Sequence, residues 1–393
     1  MKPLANRHPL LVAGTLATAL LLAACGSGDT ASAPAAPAAP AAPAGGPLDL
    51  KGAGCPETVV MQQDWQPEAE HGAMYALVGP GYSVDTNTKS VTGPLVAQGV
   101  DTGVKVEVRA GGPNTGFKPI PALMYADDKI TFGAVNTDDA IVQASKQLPT
   151  VAVSSQMTVS PQILMWDPAS YPGLKTIKEV AATGATIVTS GEVLPTLLES
   201  QGIMKKTQSD QSYDGSPSRF VSDPKIVQQG FATAEPFIYE NEIAQWKKPI
   251  AFEVFANYGY SIYPEPLAVR ADKVAALTPC LKKLVPIMQR SQVDFLKNPA
   301  PTNDLIVKLV DQYQTGWTYT PGDADFSVKT QVEGKFVMND PASGVFGKFD
   351  PKRMTDTVSR FVPLLQSAGT LTGTAPTAES LYTNDFIDDS IKM

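Results

Sequence analysis

The sequence predicts an α/β protein of two lobes, the first interrupted by the second and closed off by a helical layer. Three observations carry this. From Cys55 to about residue 150, short apolar runs alternate with stretches of helical periodicity; a second strand–helix series fills 150–260; and beyond residue 271 the pattern is almost wholly helical. The chain is expected to cross between lobes near 150–156 and 257–264. That assigns 48–150 and 260–393 to lobe I and 151–259 to lobe II.

Taken in order, the first strand is the apolar run at Val59, Val60 and Met61. It leads through Asp64, Trp65 and Gln66 into a helical pattern, and Pro67 suits the first turn because the N–H it lacks is unpaired there anyway. Trp65 is thus expected between the carboxyl end of a strand and a helix amino terminus, the edge where open α/β sheets bind ligands. Residues 104–108 (Val-Lys-Val-Glu-Val) alternate strictly, as in a strand with one buried face, and end in a Gly111-Gly112-Pro113 turn. A strand at 130–135 precedes a helix from Ala140, with Asn136 or Thr137 as N-cap. Strands follow at 151–156, 162–166 and 185–189, the last ending in Ser190, Gly191 and Glu192, with helices at 176–182 and 193–201. The pattern then predicts a helix near 225–229, a short strand at 231–234, a helix opened by Glu235 and Pro236, and strands at 252–255 and 267–270. Helices are expected at 271–296, 304–313, 326–336 and 353–366. No internal repeat is visible.

At the amino terminus Lys2 and Arg7 precede an apolar run over 10–22, then Leu22-Ala23-Ala24-Cys25. A basic segment before a short apolar one reads as a secretory signal over 1–24, too short for a mature span. The ending resembles the bacterial lipobox, in which the cysteine, here Cys25, is lipidated and becomes the first residue of a protein outside the cytoplasm. Residues 25–47 are rich in Ala and Pro and read as a semi-rigid tether, at about 3.1 Å per residue. Loss of Lys2 and Arg7 leaves 29 basic against 39 acidic residues, a net charge of −10, which argues against nucleic acid and against a polybasic membrane face. In an oxidising compartment Cys55 and Cys280 can form a disulfide; two buried free thiols are the alternative.

His71 is the one histidine left after processing, and no GxSxG elbow, CxxC pair, HExxH motif or GxGxxG turn accompanies it. Hydrolase, zinc and dinucleotide chemistry are therefore unsupported, and neither a cofactor nor a metal is expected. What the strand–helix junctions offer is donors and aromatic rings: Trp65, Gln66 and His71; Gly112; Asn136 and Thr137; Gln156; Ser190, Gly191 and Glu192; Glu235; and Tyr258. Aromatic walls with a few placed polar groups suit a small-molecule cleft. Each has a plainer reading: Trp65 as core, His71 as a helix-face residue, Thr137 and Ser190 as caps, and Glu235 as a complement to a helix dipole.

Several of these stretches together carry a resemblance. They are Asp64-Trp65-Gln66-Pro67 with His71-Gly72 and Tyr75; residues 106–113; residues 130–133 with Asp138; Gln156 with Ser160-Pro161; and Glu235-Pro236-Phe237. Over about 55–393 the chain resembles ABC-transporter solute-binding lipoproteins of the class that includes thiamine-pyrimidine, nitrate and sulfonate binders. The resemblance implies a type II periplasmic-binding-protein fold, two lobes joined by a two-strand hinge. A monomer would capture a solute in the cleft and deliver it to membrane permease subunits, with a separate ATPase and no catalysis of its own. The Trp65…His71 and Glu235-Pro236 pattern is most similar to the thiamine-pyrimidine branch, which suggests Trp65 as stacking wall and Glu235 as polar anchor for a nitrogen heterocycle. Glu68 departs from that branch, where asparagine stands, and a negative charge there favours an amine or cation over an anion. A sulfonate or nitrate ligand ranks second, with Arg109 and Lys118 as its early candidate partners. An extracellular enzyme would depend on His71 or a carboxylate; a structural lipoprotein would need no cleft.

Overall fold

The computed structural model describes residues 38–191 and 193–393. The expected signal peptide, Cys25, most of the tether and Glu192 lie outside the described residues.

Six strands form most of a first sheet: β1 (Thr58–Gln62), β2 (Ser83–Asp85), β3 (Ser90–Ala97), β4 (Val100–Arg109), β5 (Ile130–Ala134) and β6 (Thr150–Ser154). A second sheet contains β7 (Gln162–Trp166), β8 (Ile187–Val188), β9 (Ser209–Asp210), β10 (Val227–Phe231) and β11 (Ala251–Val254). The chain then returns to the first sheet as β12 (Leu267–Arg270), giving the orders β2-β3-β4-β1-β5-β12-β6 and β11-β7-β10-β8-β9. β1 lies parallel between β4 and β5, and β12 runs antiparallel between β5 and β6. In the second sheet β10 pairs parallel with β8 and antiparallel with β7. Because β1, β4 and β5 are parallel, their carboxyl ends share one edge, and the loops after them face the second lobe.

β6 pairs with β12, so the first crossing runs through 155–161, slightly later than the hydrophobic pattern predicts; the second runs through 259–266. Both crossings are bonded to the carboxyl-terminal layer. Thr158 donates to the Met338 carbonyl (2.7 Å), and Arg353 Nε donates to the Ser261 carbonyl (2.9 Å) with its guanidinium over the Tyr263 ring.

The lobes are built as amphipathic patterning dictates. β4 alternates buried and open residues from Thr102 to Val108, while β5 and β7 are buried on both faces and read as continuous apolar runs. One apolar cluster joins β1, β4 and β5 to the helices Val274–Lys297 and Ala300–Tyr313; a second joins β7 and Val193–Ser200 to helix Pro351–Ser367. Cys55 and Cys280 are bridged, tying the segment before β1 to the long helix across 225 residues. The last residues of the Ala/Pro stretch are docked rather than extended: Ala42 N donates to the Asp101 carbonyl (2.8 Å), and Lys283 caps the Gly46 carbonyl (2.7 Å).

Two local expectations are corrected. The sequence pattern predicts a helix near 225–229 and a strand at 231–234; instead a helix spans Ser218–Ser222 and β10 takes 227–231. Its glutamines look surface-polar in sequence, but Gln228 Nε2 donates to Tyr239 (3.2 Å) and Gln229 Oε1 accepts from Ser190 N (2.8 Å), so a polar pair is satisfied inside the sheet. The β2–β3 hairpin escapes the pattern because Gly93 and Pro94 interrupt β3, where the register with β4 shifts.

Candidate functional site

Two adjoining cavities lie between the lobes, of about 140 Å³ and about 300 Å³. Trp65, Tyr213, Glu235 and Trp317 line both. Trp65 stands on the turn after β1, whose shape is set by Gly111 N donating to the Trp65 carbonyl (2.7 Å) and Ala69 N donating to the Tyr319 hydroxyl (2.9 Å). The indole is held edge-on by Trp317 (centroids 6.3 Å, interplanar 88°) and tilted against Phe117 (5.9 Å). Glycines from both lobes flank it. A Cβ on Gly112 would lie 2.9 Å from Trp65 Cε3, and one on Gly215, from the second lobe, 2.8 Å from Cζ2. Both adopt positive φ (+59° and +84°), so backbone conformation and ring contact each demand glycine. The lobes also meet where Phe237 packs on Phe326 and Thr320 donates to Glu242 (3.1 Å).

Around the inner cavity stand four carboxylates, Asp64, Glu68, Glu235 and Glu265; no lysine, arginine or histidine is among the described residues lining either cavity. His71 backs this wall. It is 2 % exposed, with Nε2 3.0 Å from Asp64 Oδ1 and 3.2 Å from Glu265 Oε2. Burial pulls the imidazole down, but Glu265 and Asp64 outweigh that and hold it well above its ordinary value of 6.5, so it is an imidazolium. These three side chains offer ligand atoms within 4.8 Å of one another, but the imidazolium already occupies the cation's place between the carboxylates.

Burial, reinforced by Asp64, pushes the Glu265 carboxyl up to about 7. Glu265 lies on the second crossing with φ +52° between two prolines, and its N–H donates to Asn136 Oδ1 (3.1 Å). A non-glycine residue held there is strained, and such strain clusters at functional sites. Glu68 is raised well above its usual range by burial and by Glu70.

Glu235 opens helix Glu235–Asn241 and turns back on its own turn. Phe231 N donates to Oε2 (2.5 Å) and the Tyr213 hydroxyl to Oε1 (3.0 Å), while burial lifts the carboxyl to about 7. It therefore lines the cavity and positions Tyr213. Gln66 lines the outer cavity, its Oε1 accepting from Asn114 (2.8 Å) and Thr315 (3.3 Å), and Ser190 lines the inner one.

Asn136 lines the inner cavity, its Nδ2 donating to Asp64 Oδ2 (3.3 Å), whereas His71, Gly112, Thr137, Gln156, Gly191 and Tyr258 line neither cavity. Gly112 sits behind Trp65. Thr137 joins helix Thr137–Ser145 to the second crossing, its Oγ1 donating to the Tyr263 carbonyl (3.0 Å), and Gln156 is buried on the first crossing beside Ser154. The Tyr258 hydroxyl donates to Glu253 (2.7 Å) on the far side of the second lobe. Arg109 pairs with Glu107 and Asp127 (2.7 Å each) and lines neither cavity. Tyr213, Trp317 and Glu265 were not found from the sequence. The available signals were the Tyr213-Asp-Gly-Ser-Pro217 turn and the acid bracketed by Pro264 and Pro266.

No protein-family model matches the chain, and a search of curated proteins by sequence finds no match. Solved structures do match its shape. The periplasmic aliphatic sulphonate binding protein SsuA of Escherichia coli superposes with a TM-score of 0.54 at 9 % identity, over 85 % of this chain and 94 % of that one. A zinc-bound ligand binding component of an ABC-type import system from Staphylococcus aureus gives 0.52 at 10 %, over 85 % and 99 %. The alkanesulfonate-binding protein SsuA of Xanthomonas axonopodis pv. citri, bound to MOPS, gives 0.52 at 8 %, over 84 % and 99 %. The strand orders, the double crossing and these superpositions give one result: the chain has the type II periplasmic-binding-protein fold, two α/β lobes around a cleft.

Proposed function

We propose that this chain is the extracytoplasmic solute-binding component of an ABC importer, capturing a small nitrogen-containing organic solute between its lobes and passing it to permease subunits. The observation that carries the reading is the enclosed cleft itself, where Trp65 and Trp317 from one lobe face Tyr213 and Glu235 from the other. Walls contributed by both lobes make closure and binding one event, since a solute contacting both favours the closed form. Trp65 serves as stacking wall. The role is binding and not catalysis: His71 is locked between two carboxylates, and no activated nucleophile adjoins it among the described residues.

The SsuA neighbours favour a second reading, an anionic solute. That would call for a cationic side chain at the cleft, and the described lining residues contain none. The Leu22-Ala23-Ala24-Cys25 ending supports a lipid anchor at Cys25 on the outer face of the cell membrane; Cys25→Ser should release the protein from the membrane fraction, and retention would rule the anchor out.

The test is a thermal-shift screen of the purified protein against amino-heterocycles, amines, amino acids, sulfonates and nitrate. A bound solute raises the melting temperature by mass action. A shift lost in Trp65→Ala identifies the cleft, and silence across all classes would sink the receptor reading.

A further inference from the structure

Glu68 is 6 % exposed and faces the inner cavity, and its carboxylate receives no hydrogen bond from any described residue; its nearest cation, His71 Nδ1, stands 4.0 Å away. A buried carboxylate without donors is costly, and in a native fold it asks for a reason. His71 does not supply one: its Nδ1, itself without a hydrogen-bond partner among the described residues, stands too far from Glu68 Oε1 for a hydrogen bond, while its Nε2 serves Asp64 and Glu265. Glu235, in contrast, is satisfied on both oxygens. The cavity therefore has an acidic end with an open acceptor and an aromatic end at Trp65, Tyr213 and Trp317. Gln162 adds a side-chain oxygen without a partner at the same cavity.

We infer that the solute is an organic cation with N–H donors (an ammonium, amidinium or guanidinium on an apolar or aromatic body) whose charged end docks on Glu68, Asp64 and Glu265 while its body lies against Trp65. This rests on the receptor reading above and assigns the solute's charge. Carboxylates and aromatic faces both attract a cation in a desolvated site. A quaternary ammonium would leave the Glu68 acceptor unfilled. A bare divalent metal would gain nothing from the aromatic walls and would have to displace the imidazolium.

The groups facing one another here are Asp64, Glu68, Glu70, His71, Glu235, Glu265 and the Tyr213 hydroxyl. Burial raises Glu68, Glu235 and Glu265 in the empty cleft. A docked cation favours their charged forms, so binding releases protons and tightens from pH 6 to pH 8.

Calorimetry and thermal shift on the purified protein test this with benzamidine, neutral benzamide, anionic benzenesulfonate and zinc chloride, alongside a panel of biological amines and their neutral analogues. Cations are expected to bind about tenfold or more tighter than neutral partners, with proton release seen as an enthalpy that varies with buffer. Glu68→Gln should lose that advantage and, at pH 8, raise the melting temperature of the empty protein; Glu265→Gln should also weaken cation binding. Preference for the neutral or anionic member, or for zinc alone, overturns the inference and leaves the receptor reading standing. A Glu68→Gln protein that melts lower and binds cations unchanged makes Glu68 structural and also overturns it. No binding by any class removes the receptor reading and this inference together.

Discussion

Replacing His71 by leucine would keep most of its volume and remove the one cation among the described residues within contact of Asp64 and Glu265. Its Nε2 sits 3.0 Å from one carboxylate and 3.2 Å from the other. At an effective dielectric of about 20, each contact represents up to about 5 kcal/mol of attraction before desolvation is counted. Breaking a buried pair from one side typically costs about 3–5 kcal/mol, because the abandoned charge stays buried. We expect that loss at pH 8, a fall of about 6–10 °C in Tm at roughly 2 °C per kcal/mol for a large domain. At pH 5 the loss should shrink to about 1–2 kcal/mol, since the Glu265 carboxyl, already raised to about 7, takes up a proton and no longer needs a counter-charge. The wild type has its own signature. His71 is raised above 6.5, so its contribution is complete below that pH and fades as pH climbs through the folded-state value; Glu265 is raised from 4.5, so the fold holds an extra proton between 4.5 and about 7 and loses stability as pH rises through that window. Both act in the same direction, and the empty protein should be more stable near pH 5 than near pH 8. Urea denaturation of both proteins at the two pH values measures this. A His71→Leu loss below about 1 kcal/mol at pH 8, or equal losses at both pH values, would refute a buried imidazolium between carboxylates.

Gly215→Ala places a methyl 2.8 Å from Trp65 Cζ2 at φ +84° and should hold the lobes apart, weakening solute binding about tenfold or more with little change in Tm of the open form; titration by tryptophan fluorescence checks it, and unchanged affinity would show that Trp65 does not need that approach. Tyr213→Phe removes the donor to Glu235 Oε1 and should raise the Glu235 carboxyl above its value of about 7, read from its side-chain carbon shift in an NMR titration. Cys55→Ser opens a bridge spanning 225 residues and should cost on the order of 3–5 kcal/mol of unfolding free energy, while solute affinity at 20 °C stays close to wild type because the bridge lies in lobe I away from the cleft.

The sequence by itself determined the alternation of strands and helices, the interruption of one lobe by another and the place of Trp65 on the turn after β1. Each is written in local signals, period-two and period-3.6 patterning; Pro236 stands in a first helical turn as expected, whereas Pro67 precedes Glu68, the N-cap of the short helix Ala69–His71. Strands at 162–166 and 267–270 have the bounds their residues predict, because each apolar run is short and sharply ended. The glutamines of β10 misled because their partners are remote in sequence, Tyr239 and Ser190.

Only the tertiary structure decided the chemistry of the cleft. Glu68 and His71 are three residues apart, yet Glu265 arrives from a segment remote in sequence, on a crossing where its backbone holds a positive φ and its carboxylate reaches the same imidazole. Glu235 looked like the free anchor and is instead bonded to its own turn and to Tyr213; Thr137 and Tyr258 looked like lining residues and serve the hinge and a remote face. Local patterning records which face of an element is buried, because burial recurs with the helix or strand period. A binding site is a convergence of single residues from many elements, so it has no period to read, and the balance of four carboxylates against one imidazolium exists only once the lobes have brought them together.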